Sequence, residues 1–255
     1  MTELLGLATA LWQGALGPAG LVFLRVGAAM ALLPAFGERS IPARVRLALT
    51  IAFTLIVAPA AAPSFADAPT DAPLVLGATE VIAGLAIGIV LRLMILALQI
   101  AGTIAANVTS LSQILGGASV DPQPAIGHVL VVGGLALLAM SGLHVRIAEA
   151  FIFSYDVFPP GRPIPSVDFA QWGTENVARA FGLAFSLSAP FVLVSVIYNL
   201  ALGAINRAMP QLMVAFVGAP AITFGGLALL ALSAPILLEA WRWAFIAALE
   251  TLGTG

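Results

Sequence analysis

Six ionisable residues sit inside strongly apolar stretches: Arg25, Glu80, Arg92, His128, Glu239 and Arg242. Charge is costly in such surroundings, so each is a candidate for function by default. A transporter would use Glu80 or His128 to carry a proton and Arg92 to meet an anion. Spacing argues against pairing of Glu80 with Arg92 within one helix. Glu80 and Arg92 are twelve residues apart, about 18 Å along one helix, so each needs a partner on another element or subunit. Glu239 and Arg242 are three apart and can meet on one helical face. For Arg25, Glu80, Arg92, Glu239 and Arg242 the competing reading is structural: ion pairs within or between subunits, or side chains reaching toward an interface.

Other chemistry lacks its residues. There is no cysteine, which excludes disulfides and thiol catalysis. The two histidines, His128 and His144, stand apart from any carboxylate cluster at ligand spacing. No Gly-x-Ser-x-Gly, phosphate loop or His-Glu-x-x-His occurs. The expectation is a non-enzyme with no cofactor and no metal. All ten basic residues are arginine against twelve acids, with no basic face for nucleic acid.

The elements that must position these residues are membrane helices. Of 255 residues 61% are hydrophobic and only 9% charged, against roughly a quarter charged in soluble domains. Six runs approach the ~20 apolar residues of a span: 4–36, 47–62, 74–106, 126–143, 178–205 and 212–249. Pro18 and Pro34 break the first and Pro190 lies inside the fifth. Pro220 and Pro235 leave the last as one bent span or two short ones. Each internal proline removes a backbone donor and bends its helix. Gly84 with Gly88, Gly133-Gly134 and Gly225-Gly226 thin their helices for close packing.

Loop charge gives an orientation. Arg39, Arg44 and Arg46 in the first loop favour the cytoplasm, and the acidic, proline-containing 63–73 loop suits the outer side, which puts the N-terminus outside. Glu3 and the lack of an early basic stretch predict no cleaved signal peptide. The only extended polar region is 144–176, opening with an amphipathic piece over 145–158. No long internal repeat is visible, and the whole of 1–255 reads as a single membrane-embedded domain.

One connection departs from ordinary loops. Residues 109–124 read TSLSQILGGASVDPQP, short of charge with only Asp121, yet Gly116-Gly117, Pro122 and Pro124 prevent a continuous helix. Non-helical backbone at membrane depth is tolerated where it is buried in protein or lines a cavity. Two readings stand: a plain turn with Asp121 near the next helix start, or a movable plug.

The stretch 199–220, NLALGAINRAMPQLMVAFVGAP, closely resembles the most recognisable part of the FliR family of flagellar type III export proteins. Within it Asn206, Arg207, Pro210, Gln211 and, further on, Pro220 carry the match as packing positions. Residues 23–46, FLRVGAAMALLPAFGERSIPARVR, resemble that family's arginine-containing first segment and following loop. Asp121-Pro122, Ser141-Gly142 with His144, and Phe153-Ser154 followed by Pro160-Gly161 fall in the family's order. Residues 113–117 depart from the aromatic-containing version of some members. The resemblance implies an all-α, polytopic chain of kinked and broken helices arranged as hairpins within a multi-subunit export gate. It further implies FliP-like and FliQ-like neighbours, FlhB-like and FlhA-like components, membrane lipid around the assembly, and unfolded secreted protein as cargo. The setting would be the bacterial inner membrane at the flagellar basal body, with a periplasmic N-terminus. The loop bearing Ser110, Leu111, Ile114, Leu115, Gly116, Gly117 and Asp121 would then project into the pore as its plug. A homologous virulence secretion subunit and a stand-alone secondary transporter are the alternatives.

Overall fold

The protein is described from a computed structural model covering residues 17–34, 36, 41–66, 68–69, 72–109, 125–163, 165–209 and 214–252. Within these residues it is all-α, with seven helices: α1 Gly17–Leu32, α2 Ala43–Ala61, α3 Pro73–Thr109, α4 Ala125–Met140, α5 Leu143–Val157, α6 Ser166–Ala208 and α7 Val214–Thr251. A 3-10 turn, Ala62–Phe65, follows α2. Four segments are long and apolar enough to cross a membrane: Ala43–Phe65, α3, α6 and Ala221–Thr251. A fifth arises if α4 and α5 together form one broken span. The chain is a multi-pass membrane protein. Its 37-residue α3 and 43-residue α6 extend about 55 and 65 Å, beyond the ~30 Å hydrocarbon core, so both continue past it.

The helix limits differ instructively from the apolar runs. Pro18 lies in α1 next to its first described residue, Gly17. Pro190 lies inside α6 and Pro235 inside α7, yet both helices are continuous, so the last apolar run is one helix and not two. Proline is tolerated inside membrane helices where surrounding groups satisfy the freed backbone. The fourth run stops short at Met140, because Gly142 adopts a left-handed φ of +76° and begins α5 as its cap. Finally, α6 begins at Ser166, well before the apolar run at 178. Asp168 in its first turn suits the positive helix end, and Phe169 and Trp172 pack against Phe158.

The chain forms two compact units. One comprises the described residues of 1–93, 138–176 and 245–255. Its interior is built on α1, whose Val22, Val26, Ala29 and Met30 are fully buried, and on Ala83, Ala86, Ile87 and Val90 of α3. Gly84 and Gly88 are the points of closest approach. A Cβ on Gly84 would overlap the Arg25 carbonyl oxygen, and one on Gly88 would lie 2.9 Å from that of Ala29. Gly161, at φ +71°, turns the chain after α5, and its N–H donates to Thr79 Oγ1 at 3.1 Å.

The second unit comprises 94–137 and 177–244 as described. Trp241 is fully buried, and its Nε1–H donates to the Met94 carbonyl at 2.8 Å. Ser195 Oγ donates to the Val108 carbonyl at 3.0 Å. Backbones meet most closely at Gly102, where a Cβ would overlap Gly127 Cα. The glycine pairs have a different use here: Gly133 and Gly134 receive side chains of Leu238, Leu98 and Trp241, Gly226 receives Thr109, and Gly225 faces open space.

Candidate functional site

Arg25 and Glu80, 55 residues apart in sequence, meet in the interior of the first unit. Arg25 sits on the buried stripe of α1 with Val22, Val26 and Ala29, so the packing that buries those side chains carries the guanidinium inward. Glu80 lies one turn before Gly84 on α3, where α1 comes nearest. The two side chains are 1% and 0% exposed. Their pairing is bidentate: Nε to Oε2 at 2.8 Å and Nη2 to Oε1 at 2.9 Å.

The remaining valences are filled by α5 and its end. Arg25 Nη1 donates to Ser154 Oγ at 3.0 Å, and Nη2 donates to the Phe158 carbonyl at 2.6 Å. Ser154 Oγ in turn donates to the Phe151 carbonyl at 2.7 Å. The Tyr155 hydroxyl donates to Glu80 Oε2 at 3.1 Å, while the Tyr155 ring lies under Arg25 Cζ at 3.6 Å. Phe65 also packs against the Tyr155 ring, 5.4 Å between centroids. A buried pair repays its desolvation only with such geometry and such additional hydrogen bonds. The cluster is therefore a closed, charge-balanced joint of three helices. It offers no open coordination position or exposed nucleophile. Glu80 is held by three hydrogen bonds away from solvent, which suits a fixed joint and not a carrier that must be reached from both sides.

The other candidates lie elsewhere. Glu239 and Arg242 pair on the surface of α7 through Nε to Oε2 at 2.8 Å and a second contact, with Trp243 4.8 Å from the guanidinium. Arg92 is half-buried on α3, twelve residues beyond Glu80. His128 and His144 are exposed on α4 and α5, and no three His, Asp or Glu among the described residues converge as metal ligands. Asn206 and Arg207 are exposed at the end of α6. Pro220 falls within α7. Pro210 and Gln211, and the loop residues Ser110, Leu111, Ile114, Leu115, Gly116, Gly117 and Asp121, lie outside the described residues. Sequence reasoning did not single out Tyr155. Its signal was available: Ile147, Phe151 and Tyr155 recur every four residues on one face of α5, and all three are buried.

Comparison with known proteins places this geometry in context. The family described as bacterial export proteins, family 1, matches residues 16–247. A protein of Caulobacter vibrioides named flagellar biosynthetic protein FliR is 37% identical over 227 residues, covering 88% of this chain and 90% of that protein. Proteins of the same name from Bacillus subtilis and Escherichia coli are 26% and 27% identical, covering 78% and 84% of this chain and 79% and 83% of their own length.

Proposed function

This chain belongs to the bacterial export proteins, family 1, and we propose on that premise that it is the FliR-type subunit of a flagellar type III protein export apparatus. The observation that carries the reading is 37% identity to a FliR sustained over nine-tenths of that protein's length. In this role the chain catalyses no reaction; it forms part of the gate through which unfolded flagellar subunits leave the cell. Its partners are FliP-like and FliQ-like gate subunits with FlhB-like and FlhA-like components nearby, and its setting is the bacterial inner membrane with a periplasmic N-terminus. The flagellar names of the relatives favour this system over a virulence one.

The apolar exterior suits a chain enclosed by membrane lipid and companion subunits. Phe181, Phe185, Leu193, Ile197 and Leu200 form an exposed apolar stripe on α6, each at least 59% exposed. On α7, Phe224, Leu232 and Ile236 are more than 70% exposed. Surfaces of this extent are covered by lipid or by companion chains. The Arg25–Glu80 joint acts as a structural staple, and the 109–124 loop acts as the plug. Co-expression with FliP-like and FliQ-like chains tests the assembly: the tagged protein should co-purify with both, and a monodisperse monomer that never associates refutes it. Deleting 114–119 should make the membrane permeable to small ions. Unchanged conductance, with the complex assembled, refutes the plug.

A further inference from the structure

The same four residues, Leu-Ser-Ala-Pro, occur in two membrane-crossing helices: 187–190 in α6 and 232–235 in α7. Each proline removes the amide that would close a helical turn four residues back, on Ser186 in α6 and on Ala231 in α7. The serines then behave differently. In α6, Ser188 Oγ donates to the Phe185 carbonyl at 2.9 Å, and Ser186 Oγ donates to the Gly182 carbonyl at 2.8 Å. In α7, Ser233 Oγ is buried without a hydrogen-bond partner, and Ala231 stands where α6 has Ser186. Among the described residues no other buried side-chain polar atom is left so.

The surroundings account for the orphaned hydroxyl and mark a pivot. Thr109 of α3 packs on Gly226 of α7, and the Met94 carbonyl of α3 accepts from Trp241 of α7. Fifteen residues separate the two contacts on both helices, so α3 and α7 run antiparallel and in step. Ser233, seven residues past Gly226, stands level with Gly102, seven before Thr109. A glycine offers no side chain to meet a hydroxyl. The two halves of α7 are also seated unequally. Beyond Pro235, Leu238 lies over Gly133 and Trp241 over Gly134, with the indole bonded to α3. Before Ser233, the contact at Gly226 is made by the Thr109 methyl, because the Thr109 hydroxyl donates back to the Ala105 carbonyl at 2.7 Å. Phe224, Leu227 and Leu232 of that half are 77%, 55% and 78% exposed, so its displacement uncovers little new apolar surface.

We propose that α7 is hinged at Ser233–Pro235, the half over 221–232 swinging about the seated part beyond the proline. In the second position Ser233 Oγ donates to the Leu230 carbonyl, three residues back, as Ser188 already does to Phe185. A serine bonded to its own preceding turn bends a helix, and a proline permits the bend. The unmade hydrogen bond disfavours the observed position, while the packing of Thr109 on Gly226 favours it. Opposed small effects of this kind leave both positions populated. The hinge rests on the packing of α7 against α3 and does not depend on the export reading.

The chain has no cysteine, so spin-label pairs can be placed without background. F224C/V129C reports the swinging half against α4, and W243C/V129C reports the seated half; all three positions are exposed. Pulsed electron double resonance is read on the full chain in lipid nanodiscs, alone and co-assembled with its gate partners. The first pair should give two distances and the second pair one. P235A should reduce the first pair to a single distance, and alanine, the better helix former, keeps the fold. S233A should shift the two populations toward the observed position by at least about fivefold, whereas S188A should leave them unchanged. A single distance from F224C/V129C in both settings overturns the hinge. So do two distances from W243C/V129C, or a distance pair that survives P235A or ignores S233A.

Discussion

If the Arg25–Glu80 joint holds α1, α3 and α5 in register, removing either partner should cost far more than removing both in proportion. Arg25→Met leaves the Glu80 carboxylate at 0% exposure with only the Tyr155 hydroxyl at 3.1 Å. Glu80→Met leaves the guanidinium with Ser154 Oγ and the Phe158 carbonyl, and with the Tyr155 ring beneath it. Breaking a buried pair typically costs about 3–5 kcal/mol, and the better-supplied arginine puts Glu80→Met toward the lower end. The double variant carries no stranded charge. It leaves two orphaned groups, the Phe158 carbonyl and the Tyr155 hydroxyl, at about 1–3 kcal/mol each. With Arg25→Met at about 4 kcal/mol and Glu80→Met at about 3, the singles sum to about 7, while the double costs about 4. The cycle should therefore fall short of additivity by about 3 kcal/mol. Methionine suits the test because its flexible, similarly sized side chain fills the vacated space. Reversible unfolding in mixed detergent and dodecyl sulfate micelles measures all four proteins; 2 kcal/mol is about a thirtyfold change in the folded-to-unfolded ratio. Singles that add to the double within about 0.5 kcal/mol would refute the joint.

Two further substitutions probe close packing. Gly84→Ala places a methyl against the Arg25 carbonyl and should destabilise by about 1–3 kcal/mol through overpacking, whereas Gly20→Ala, which meets nothing within 4 Å, should be neutral or slightly stabilising; equal effects in thermal denaturation would refute the close approach. Trp241→Phe removes the donor to the Met94 carbonyl and should cost about 0.5–1.5 kcal/mol for the bond plus lost packing. A melting temperature unchanged from wild type would refute that contact.

Apolar runs translate directly into helices here because hydropathy is what a bilayer selects: the run over 47–62 ends one residue past α2, in the 3-10 turn that follows, and the run over 74–106 lies within α3. Helix ends are less legible. The start of α6 depends on Phe169 and Trp172 finding Phe158, a contact across the Pro159–Gly161 turn that no local pattern announces. Intrahelical spacing correctly excludes a pair of Glu80 with Arg92, but it cannot choose Arg25 from among distant arginines. That choice is made by α1 docking on α3 at Gly84. Likewise Gly102 and Gly127, single glycines in apolar helices, carry no mark of the close backbone contact they make, while the more conspicuous Gly225 faces open space.

In this chain the buried pair and the small residue beside it are one device. Lipid and protein surfaces are equally apolar, so hydrophobic burial alone hardly distinguishes one sliding position of two membrane helices from the next. A polar pair with a single satisfying geometry can distinguish them, the best-attested use of buried charge. Glu80 and Gly84 are one turn apart on α3, and both meet Arg25, one through its side chain and the other through its carbonyl oxygen. Moving α1 by a turn would bring a side chain other than Gly84 against that carbonyl and separate the guanidinium from its carboxylate. Steric permission and electrostatic demand thus select the same register. Ser154 and the Phe158 carbonyl extend that selection to α5. An exposed pair such as Glu239–Arg242, three residues apart on one helix, imposes no relation between helices, which is why the two kinds of ion pair in this protein should respond so differently to neutralisation.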